Sequence, residues 1–529
     1  MLGFCHYLAA SKPASIYNNC QKTEIIQECL MKVKSTLRLV LTLFLIQANI
    51  ATVQAQELGS ISFQNSGSVA AQEDFLMGVK ALHSFQFDEA RFAFERAQKI
   101  DPSFALAYWG QAMSDNHPLW AQQDIDAASA ALTRLAPTFE ERLARAKTDK
   151  EKEYMSAVET LYFSPGDKLQ RDFAYSEHMA RMHQRWPDDD EISIFYALSL
   201  LGTVRPGDQG YRRQALAASI SQSVFARNEQ HPGAAHFIIH SFDDPDHAIL
   251  ALPAATVYAR IAPAAAHALH MPSHIFLQLG MWQDVVNSNI DAYAAAVAVN
   301  KKFGLAEGRE DFHTLSWRAY AFLMLGQFDD ASEDLAKARA ALGRNPDSLG
   351  VHNGYLNMRG RHVLETGQWA DVELAATGTP EGDHANWVSA VGISAAHLGK
   401  TERAKAAIAR LGMIRERMSA AGRTYDSKKV SILEKQVVAV LSLVSGDVEN
   451  AVVAAREAAE TEMREMQAPS GPPDPMKPAV ELYADILLAA NRPVEAIAAY
   501  EQSLQWIPGR TPSITGLEKA AAEAGRASR

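Results

Sequence analysis

The chain has 529 residues, of which 47% are hydrophobic and 21% are charged, proportions that are ordinary for a folded soluble protein. Its formal net charge of -11 argues against a nucleic-acid-binding surface, because contacts to phosphates require a basic stripe that this sequence lacks. We therefore expect no nucleic-acid partner.

Residues 31–55 have the three-part pattern of a secretory signal peptide. Met31 opens a short basic segment, MKVKSTLR, which is followed by the apolar run LVLTLFLI and by small residues that end at Ala55. We interpret residues 1–30 as an upstream start artefact, with translation beginning at Met31. The pattern predicts a periplasmic or secreted protein with no stable membrane anchor after cleavage. An apolar run that stays uncleaved and acts as an anchor is the alternative.

All three cysteines, Cys5, Cys20 and Cys29, precede this signal. The mature chain would then contain no thiolate for disulfide formation or metal binding, which fits an oxidising compartment. We assign residues 56–70 to a linker between the signal and the folded part.

Beyond residue 70, apolar residues recur at helical spacing almost everywhere, and no stretch alternates like a strand. Five residues in the segment 75–102 stand at the offsets of a helical repeat of about 34 residues. They are Gly78, Ala90, Phe94, Ala97 and Pro102. The small residues let two helices approach closely, the phenylalanine fills the gap between repeats, and the proline ends the second helix. This segment resembles the tetratricopeptide repeat (TPR) family.

The same pattern of a turn followed by an Ala- or Val-led helix recurs further along the chain. It appears at residues 279–296, 325–342, 366–376, 398–411, 445–458 and 490–508. Residues 512–526 would cap the array, and residues 116–186 are predicted to be helical without a repeat register. The expected fold is an all-α, TPR-like superhelical solenoid of antiparallel helix pairs. Residues 71–310 would form N-terminal repeats with a histidine-rich groove, and residues 311–529 C-terminal TPR-like repeats with the capping helix.

The resemblance implies a way of binding. First helices of TPR-like repeats line a concave face, and a protein or peptide in that groove is the partner that the family implies. Fold alone does not fix function, however, and no phosphate-binding loop, dinucleotide fingerprint, nucleophile elbow or Cys-x-x-Cys motif is present in the sequence. We assign no catalytic residue and no organic cofactor, and whether the protein is an enzyme stays open.

Histidines are concentrated in one part of the chain. Seven of the 17 lie in residues 231–274, where an even spread would place about one or two. If Gly280 is the turn glycine of its repeat, His267, His270 and His274 fall on a first helix and face the groove. The runs HPGAAHFIIHSFDDPDHA and HALHMPSHIF also resemble those of predicted exported bacterial TPR proteins, a likeness that supports location and fold and implies no activity.

Two pairs of histidines, His236 with His240 and His270 with His274, are each spaced four residues apart on adjacent first helices. Such a pair can bind one metal ion from one helix face. Neighbouring helices pack about 8–10 Å apart, so the pairs could share an ion or hold two ions side by side. We predict a transition-metal site with these four ligands and with His267 and His313 as auxiliaries.

Imidazole ligands without thiolates favour Zn(II) or Cu(II), and Fe becomes possible only if a carboxylate joins. A hydrolase would have to draw its base from the nearby candidate carboxylates Asp243 or Asp244, or Glu310 and Asp311 beside His313. The alternative hypothesis is a metal-free periplasmic scaffold that binds a peptide or partner protein in the groove, where the histidines only form hydrogen bonds. The other histidines, including His231 before Pro232, are interpreted as packing or helix-end residues.

Pro272 interrupts the second histidine run. A regular helix over residues 264–279 is disfavoured, so either the helix kinks or a helix begins near Met271 with Pro272 in its first turn. In the second case His267 and His270 would lie on irregular backbone.

Overall fold

The computed structural model describes residues 58–205, 208 and 210–527. The described residues all belong to one unit, which begins at Leu58. The predicted signal peptide at residues 31–55 and the interpreted start artefact at residues 1–30, with its cysteines, lie outside the described residues.

The first half of the described chain is helical apart from short turns and one small bridge. Its elements are a 3-10 turn at Val69–Ala71 and the helices α1 (Gln72–His83), α2 (Phe87–Ile100), α3 (Ala105–Ser114), α4 (Ile125–Leu135), α5 (Phe139–Arg145), α6 (Asp149–Phe163), α7 (Lys168–Arg185), α8 (Asp190–Gly202), α9 (Arg212–Arg227), α10 (Pro232–Ser241), α11 (Ala248–Ile261), α12 (Ala266–His270) and α13 (Pro272–Gln278). A second 3-10 turn, Pro118–Trp120, separates two short strands, β1 (Asn116–His117) and β2 (Gln122–Gln123), which pair in antiparallel fashion.

The second half continues the helical series. Its elements are α14 (Trp282–Phe303), α15 (Glu310–Met324), α16 (Phe328–Arg344), α17 (Leu349–Thr366), α18 (Pro380–Asp383), α19 (Ala385–His397), α20 (Thr401–Ala420), α21 (Thr424–Val444), α22 (Val448–Glu465), α23 (Ala479–Ala489), α24 (Pro493–Trp506) and α25 (Thr511–Ala527). The last of these contains the predicted capping helix.

Most helices pack against the next helix in the chain, and the first helix of a pair also contacts the first helix of the following pair. These first helices form a continuous row through α8, α10, α12 with α13, α15, α17, α19, α21 and α23. The predicted all-α, TPR-like solenoid of antiparallel helix pairs is confirmed.

The first predicted repeat is formed by α1 and α2. Phe94 is fully buried, and a Cβ atom at Gly78 would lie only 2.8 Å from its ring. The small residue is therefore required for α1 to approach α2, as the repeat pattern predicts. The helix α2 ends at Ile100, two residues before Pro102.

One predicted helix is absent. Residues 367–379 form no helix, although the segment 366–376 repeats the pattern of a turn and an Ala-led helix. The Asp371 carboxylate instead pairs with Lys400 and Arg403 of α20. Pro380 also disfavours helical backbone at the residue before it. Trp369 of the same segment stacks on His397 of α19 at a ring distance of 4.0 Å, and this contact holds the segment in a non-helical course more strongly than exposed ion pairs can.

Residues 58–68, within the stretch assigned to a linker, lie against the solenoid. Leu58 and Phe63 are buried, and the Ser60 amide donates a hydrogen bond of 2.8 Å to the carbonyl oxygen of Gln230. This segment therefore packs against the turn that precedes α10.

A second irregular segment joins distant repeats. Residues 466–478, here named the closing loop, run from α22 to α23 and contact helices from the middle of the chain. Gln278 donates a hydrogen bond of 2.7 Å to the Pro469 carbonyl, and a Cβ atom at Gly471 would lie 2.6 Å from the Trp317 ring. The loop thus packs against α13 and α15. Within the described part of the chain, no helix combines the length and the apolar character needed to cross a membrane.

Candidate metal site

Four short stretches of helix position the histidines that were predicted as ligands. His236 and His240 lie on α10, His267 and His270 on α12, His274 on α13 and His313 on α15. All of these helices belong to the row of first helices. The repeat register predicted this for the first five histidines, whereas His313, expected in the turn before a first helix, lies within α15 itself. The structure brings the six imidazoles into one continuous cluster.

Pro272 divides the helix that carries three of these side chains. The helix α12 ends at His270, Met271 has φ of -54° and ψ of -34°, and Pro272 is the first residue of α13. A proline fits this position because the first residues of a helix have no internal partner for their N–H groups. His267 and His270 lie on the short helix α12, and not on irregular backbone as the second alternative implied.

The first triad consists of His236, His240 and His267. Each offers a nitrogen that lies within 4.8 Å of the others. Among the described residues, the Nε2 atoms of all three are buried and have no hydrogen-bond partner. Three unpaired imidazole nitrogens therefore converge on one point.

Two of the three outer nitrogens of this triad are held by acceptors. His236 Nδ1 lies 2.6 Å from the backbone oxygen of His83, and His267 Nδ1 lies 3.2 Å from Oε1 of Glu310. Because a carbonyl or carboxylate oxygen only accepts, Nδ1 carries the proton and Nε2 presents its lone pair. The ring of Phe85 packs against all three imidazoles, with centroid distances of 4.4 to 5.6 Å.

The second triad consists of His270, His274 and His313, whose nitrogens also lie within 4.8 Å of one another. His270 Nδ1 lies 2.7 Å from Oδ1 of Asn289, and His274 Nδ1 lies 2.6 Å from Oδ2 of Asp243. The two Nε2 atoms are 3.1 Å apart. When both Nδ1 atoms donate to these oxygens, two lone pairs face each other, which is unfavourable unless a cation lies between them.

The two triads adjoin. The rings of His240 and His274 have centroids 6.1 Å apart, and those of His267 and His270 are 6.2 Å apart. The four-residue spacing between histidines predicted two pairs. In the structure each pair gains a third histidine, which is His267 for the pair on α10 and His313 for the second pair. The residues predicted as auxiliaries are thus the third members of the triads.

Burial sets the protonation of these side chains. Burial, followed by repulsion from neighbouring imidazoles, lowers the pKa of His236, His240, His270 and His274 well below the ordinary value. Burial also lowers the pKa of His313. These histidines are therefore neutral at neutral pH and can offer lone pairs to a metal ion.

The candidate carboxylates have different roles. Asp243 and Glu310 hold the outer nitrogens of His274 and His267, so they support ligands. Burial raises the pKa of the Asp243 carboxyl. Asp244 pairs with His247, which lies outside both triads. The carboxylate of Asp311 accepts backbone N–H groups at the start of α15.

A further polar cluster, which the sequence reasoning missed, lies beside the first triad. This Glu191 group consists of His83, Glu191 and His231, whose side chains are at most 1% exposed. Glu191 accepts from His83 Nε2 at 2.8 Å and faces His231 Nε2 at 3.2 Å. Burial alone would raise the pKa of Glu191, but the two imidazoles outweigh it and lower the pKa to about 2.

The Glu191 group has a different hydrogen-bond pattern from the triads. His231 is the N-cap of α10, and its Nδ1 accepts from the Ala234 amide at 3.3 Å. A neutral imidazole that accepts at Nδ1 carries its proton at Nε2, the nitrogen that faces Glu191. A metal ion at that Nε2 would require loss of the cap. The geometry therefore favours a buried hydrogen-bonded cluster.

No protein-family model matches the sequence, and no curated protein matches it at a significant level. Solved structures with a similar trace include the APC/C hetero-tetramer Cut9-Hcn1, with 12% identity, a TM-score of 0.35 and coverage of 91% of this chain and 81% of that one. Yeast Tom70 has 10% identity, a TM-score of 0.33 and coverage of 87% and 89%. The human IFIT1 dimer has 11% identity, a TM-score of 0.32 and coverage of 87% and 96%. The fold assignment rests on the helix pairs themselves: the chain forms a TPR-like solenoid that carries two histidine triads.

Proposed function

We propose that this solenoid binds two transition-metal ions, one in each histidine triad. The observation that carries the proposal is the hydrogen bonding of the outer nitrogens. His236, His267, His270 and His274 each place Nδ1 against an oxygen acceptor, which leaves Nε2 for a metal. This is the arrangement that metal-binding histidines adopt in proteins.

The ligand type favours Zn(II) or Cu(II). Both metals accept imidazole, whereas Fe is favoured when a carboxylate joins the ligands. Here Asp243 and Glu310 bond to outer nitrogens and so are engaged away from the centres of the triads. Three protein ligands leave one coordination position of a tetrahedral ion open. An ion bound in a triad would therefore act as a Lewis acid towards a molecule that coordinates at this position.

Metal content tests the proposal. The full-length protein, purified without a histidine tag, is loaded with Cu(II) or Zn(II) and analysed by elemental analysis. We expect about two ions per chain, and about one ion after either His236→Ala or His270→Ala, because each substitution removes a ligand from one triad. The double variant should bind none.

His397→Gln is the matched control, because His397 stacks on Trp369 at a ring distance of 4.0 Å and lies outside the triads. It should keep both ions. Wild-type protein that takes up no metal, or a double variant that binds as much as wild type, would overturn the proposal. The alternative, a metal-free scaffold, predicts that the wild-type protein takes up no metal. It also predicts that the double variant captures a partner protein or peptide as well as the wild type does.

We also propose that the protein is exported. The basic segment, apolar run and small residues of positions 31–55 support this, and they predict cleavage after Ala55. Expression of the full-length gene in a bacterium, followed by cell fractionation and N-terminal sequencing, tests it. A protein that stays in the cytoplasm with its N-terminus intact would contradict export.

A further inference from the structure

A side cavity of about 400 Å³ opens beside the two triads. One wall comes from the start of α9 and from the turn after α10, and the opposite wall comes from the closing loop and the end of α24. Its volume falls within the range of small-molecule pockets, which is about 300–1,000 Å³. A hydrated metal ion alone would need far less room.

The inner end of the side cavity lies against one ligand of the first triad and one supporting residue of the second. His240, whose Nε2 is buried and lacks a partner among the described residues, belongs to its lining. Asp243, which lines the cavity too, is 7% exposed and holds Nδ1 of His274 in the second triad. A molecule in this cavity would therefore lie against one ligand of the first triad and one supporting residue of the second.

The charge of the lining selects a cation. Asp244 and Asp246 stand on the turn after α10, and no arginine or lysine among the described residues lines the cavity. Asp244 is fixed through Oδ1, which accepts from the amides of Asp246 and His247 and lies 2.8 Å from His247 Nδ1, so a ligand would meet its other oxygen, Oδ2. No described residue forms an ion pair with the exposed Asp246 carboxylate, so this charge can meet a positively charged ligand.

The remaining lining provides apolar contacts. Tyr211 and Trp506 contribute aromatic rings, and Met463 and Met466 contribute thioethers. An aromatic face attracts a cation as well as an apolar body, and methionine adapts to irregular shapes. A bare ion would gain little from these four side chains, whereas an organic cation would contact both the carboxylates and the apolar surface.

We propose that the side cavity binds a small organic amine, with its ammonium group at Asp244 and Asp246 and its apolar body between Tyr211 and Trp506. The amine is a ligand of the solenoid distinct from the metal ions. Only one part of this inference rests on the proposed metal function: the presence of a metal ion beyond His240, at the inner end of the cavity.

Three probes of similar shape and different charge test the cavity. Phenethylamine, 2-phenylethanol and 3-phenylpropionate are titrated into the full-length protein after removal of metal with EDTA, and binding is measured by calorimetry and ligand-observed NMR. We expect phenethylamine to bind at least about tenfold more tightly than 3-phenylpropionate, with the alcohol between them, since the lining carries only negative charge. Because metal is absent, a failed metal proposal does not affect this result.

Variants locate the binding. Asp244→Asn with Asp246→Asn should weaken phenethylamine binding by about tenfold, because asparagine preserves the turn and removes the charges. The matched control, Asp329→Asn with Asp330→Asn on the exposed start of α16, removes the same charge and should change nothing. In protein loaded with Cu(II), the amine should alter the EPR spectrum, as expected for a ligand beside His240.

Four results would overturn the inference: no binding of phenethylamine at millimolar concentrations, equal binding of the anionic probe, equal loss in the control variant, or binding that survives the loss of both aspartates, which would place the amine elsewhere. If the amine binds but the EPR spectrum does not change, the bound amine does not lie beside the metal ligand His240. That result would contradict the placement of the cavity next to the triads, and it would not affect the metal proposal.

Discussion

The two triads and the Glu191 group contain the same kind of side chain and lie on neighbouring helices, yet they favour different occupants. In the triads, the outer nitrogens of His236, His267, His270 and His274 donate to fixed oxygens. In the Glu191 group, the outer nitrogen of His231 accepts from a backbone amide. The protons of these four imidazoles therefore lie outside the triads, whereas the proton of His231 lies inside the Glu191 group.

This comparison shows that clustering alone does not identify a metal site. The nitrogens of His83 and His231 approach Glu191 as closely as metal ligands approach one another, but each of these nitrogens carries a proton that faces the carboxylate and so offers no lone pair to a metal ion. The backbone oxygen of His83 then accepts from His236 Nδ1. The side chains of the Glu191 group thus support α10, whereas one ligand of the first triad is held by a backbone atom of His83 that the loss of Glu191 would leave in place.

The largest effect is expected from Glu191→Ala. Removing this buried carboxylate would leave the Nε2–H of His83 without its acceptor and the Nε2–H of His231 without the charge that faces it, and should lower the free energy of unfolding by about 3–5 kcal/mol. The folded pKa of about 2 lies below the ordinary value of 4.5, so this stabilisation is present above pH 4.5 and is lost as the pH falls towards 2. Urea unfolding of the metal-free protein at neutral pH measures the loss.

The control for that substitution is Glu153→Ala. Glu153 bonds to His178 Nε2 at 2.9 Å, but its side chain is 35% exposed, so its loss should cost less than about 1 kcal/mol. Both variants should still take up two metal ions per chain. If Glu191→Ala bound fewer ions while remaining folded, the distinction between the Glu191 group and the triads would fail.

A smaller effect should follow when a supporting residue of the second triad is changed. Asp243→Ala removes the acceptor of His274 Nδ1, so the affinity of that triad for metal should fall by about 10- to 100-fold. Asp243→Asn keeps an accepting oxygen and should lose less. Competition with a chelator of known affinity measures both variants.

Asp244→Ala tests whether the loss of metal affinity in Asp243→Ala is due to the hydrogen bond between Asp243 and His274. Asp244 is adjacent in sequence but bonds to His247, so metal affinity should remain within about twofold of wild type. An equal loss in this variant would mean that local charge, and not orientation of His274, controls the affinity.

The helical repeats of the fold could be predicted from the sequence because the repeat pattern depends on the spacing of residues that are close along the chain. Gly78 and Phe94 meet across one helix pair, and their offset is fixed by the length of the repeat. The error at residues 366–376 had a different origin. Asp371 pairs with α20, a contact between elements that a local helical pattern cannot reveal.

The same limit applies to the site. The spacing of His236 and His240 identified one face of α10, but the third member of each triad depends on how α12 and α15 pack. Asn289 lies 19 residues from His270 on another helix, and no motif marks it as a partner. His83 and Glu191 are 108 residues apart, so their pairing also had no local signal.

The smallest effect is expected from pH. Burial and neighbouring imidazoles lower the pKa of His270 and His274, and burial lowers that of His313, so protons compete weakly with metal at the second triad. In His236→Ala, which keeps this triad alone, the metal affinity should change by less than about twofold between roughly pH 7.5 and 6.5. Three imidazoles with an ordinary pKa of about 6.5 would lose roughly sixfold over the same interval, because half of each would be protonated at the lower pH. Titration with a chelator whose own pH dependence is known separates the two cases, and a sixfold loss would show that the second triad is not shielded from protons.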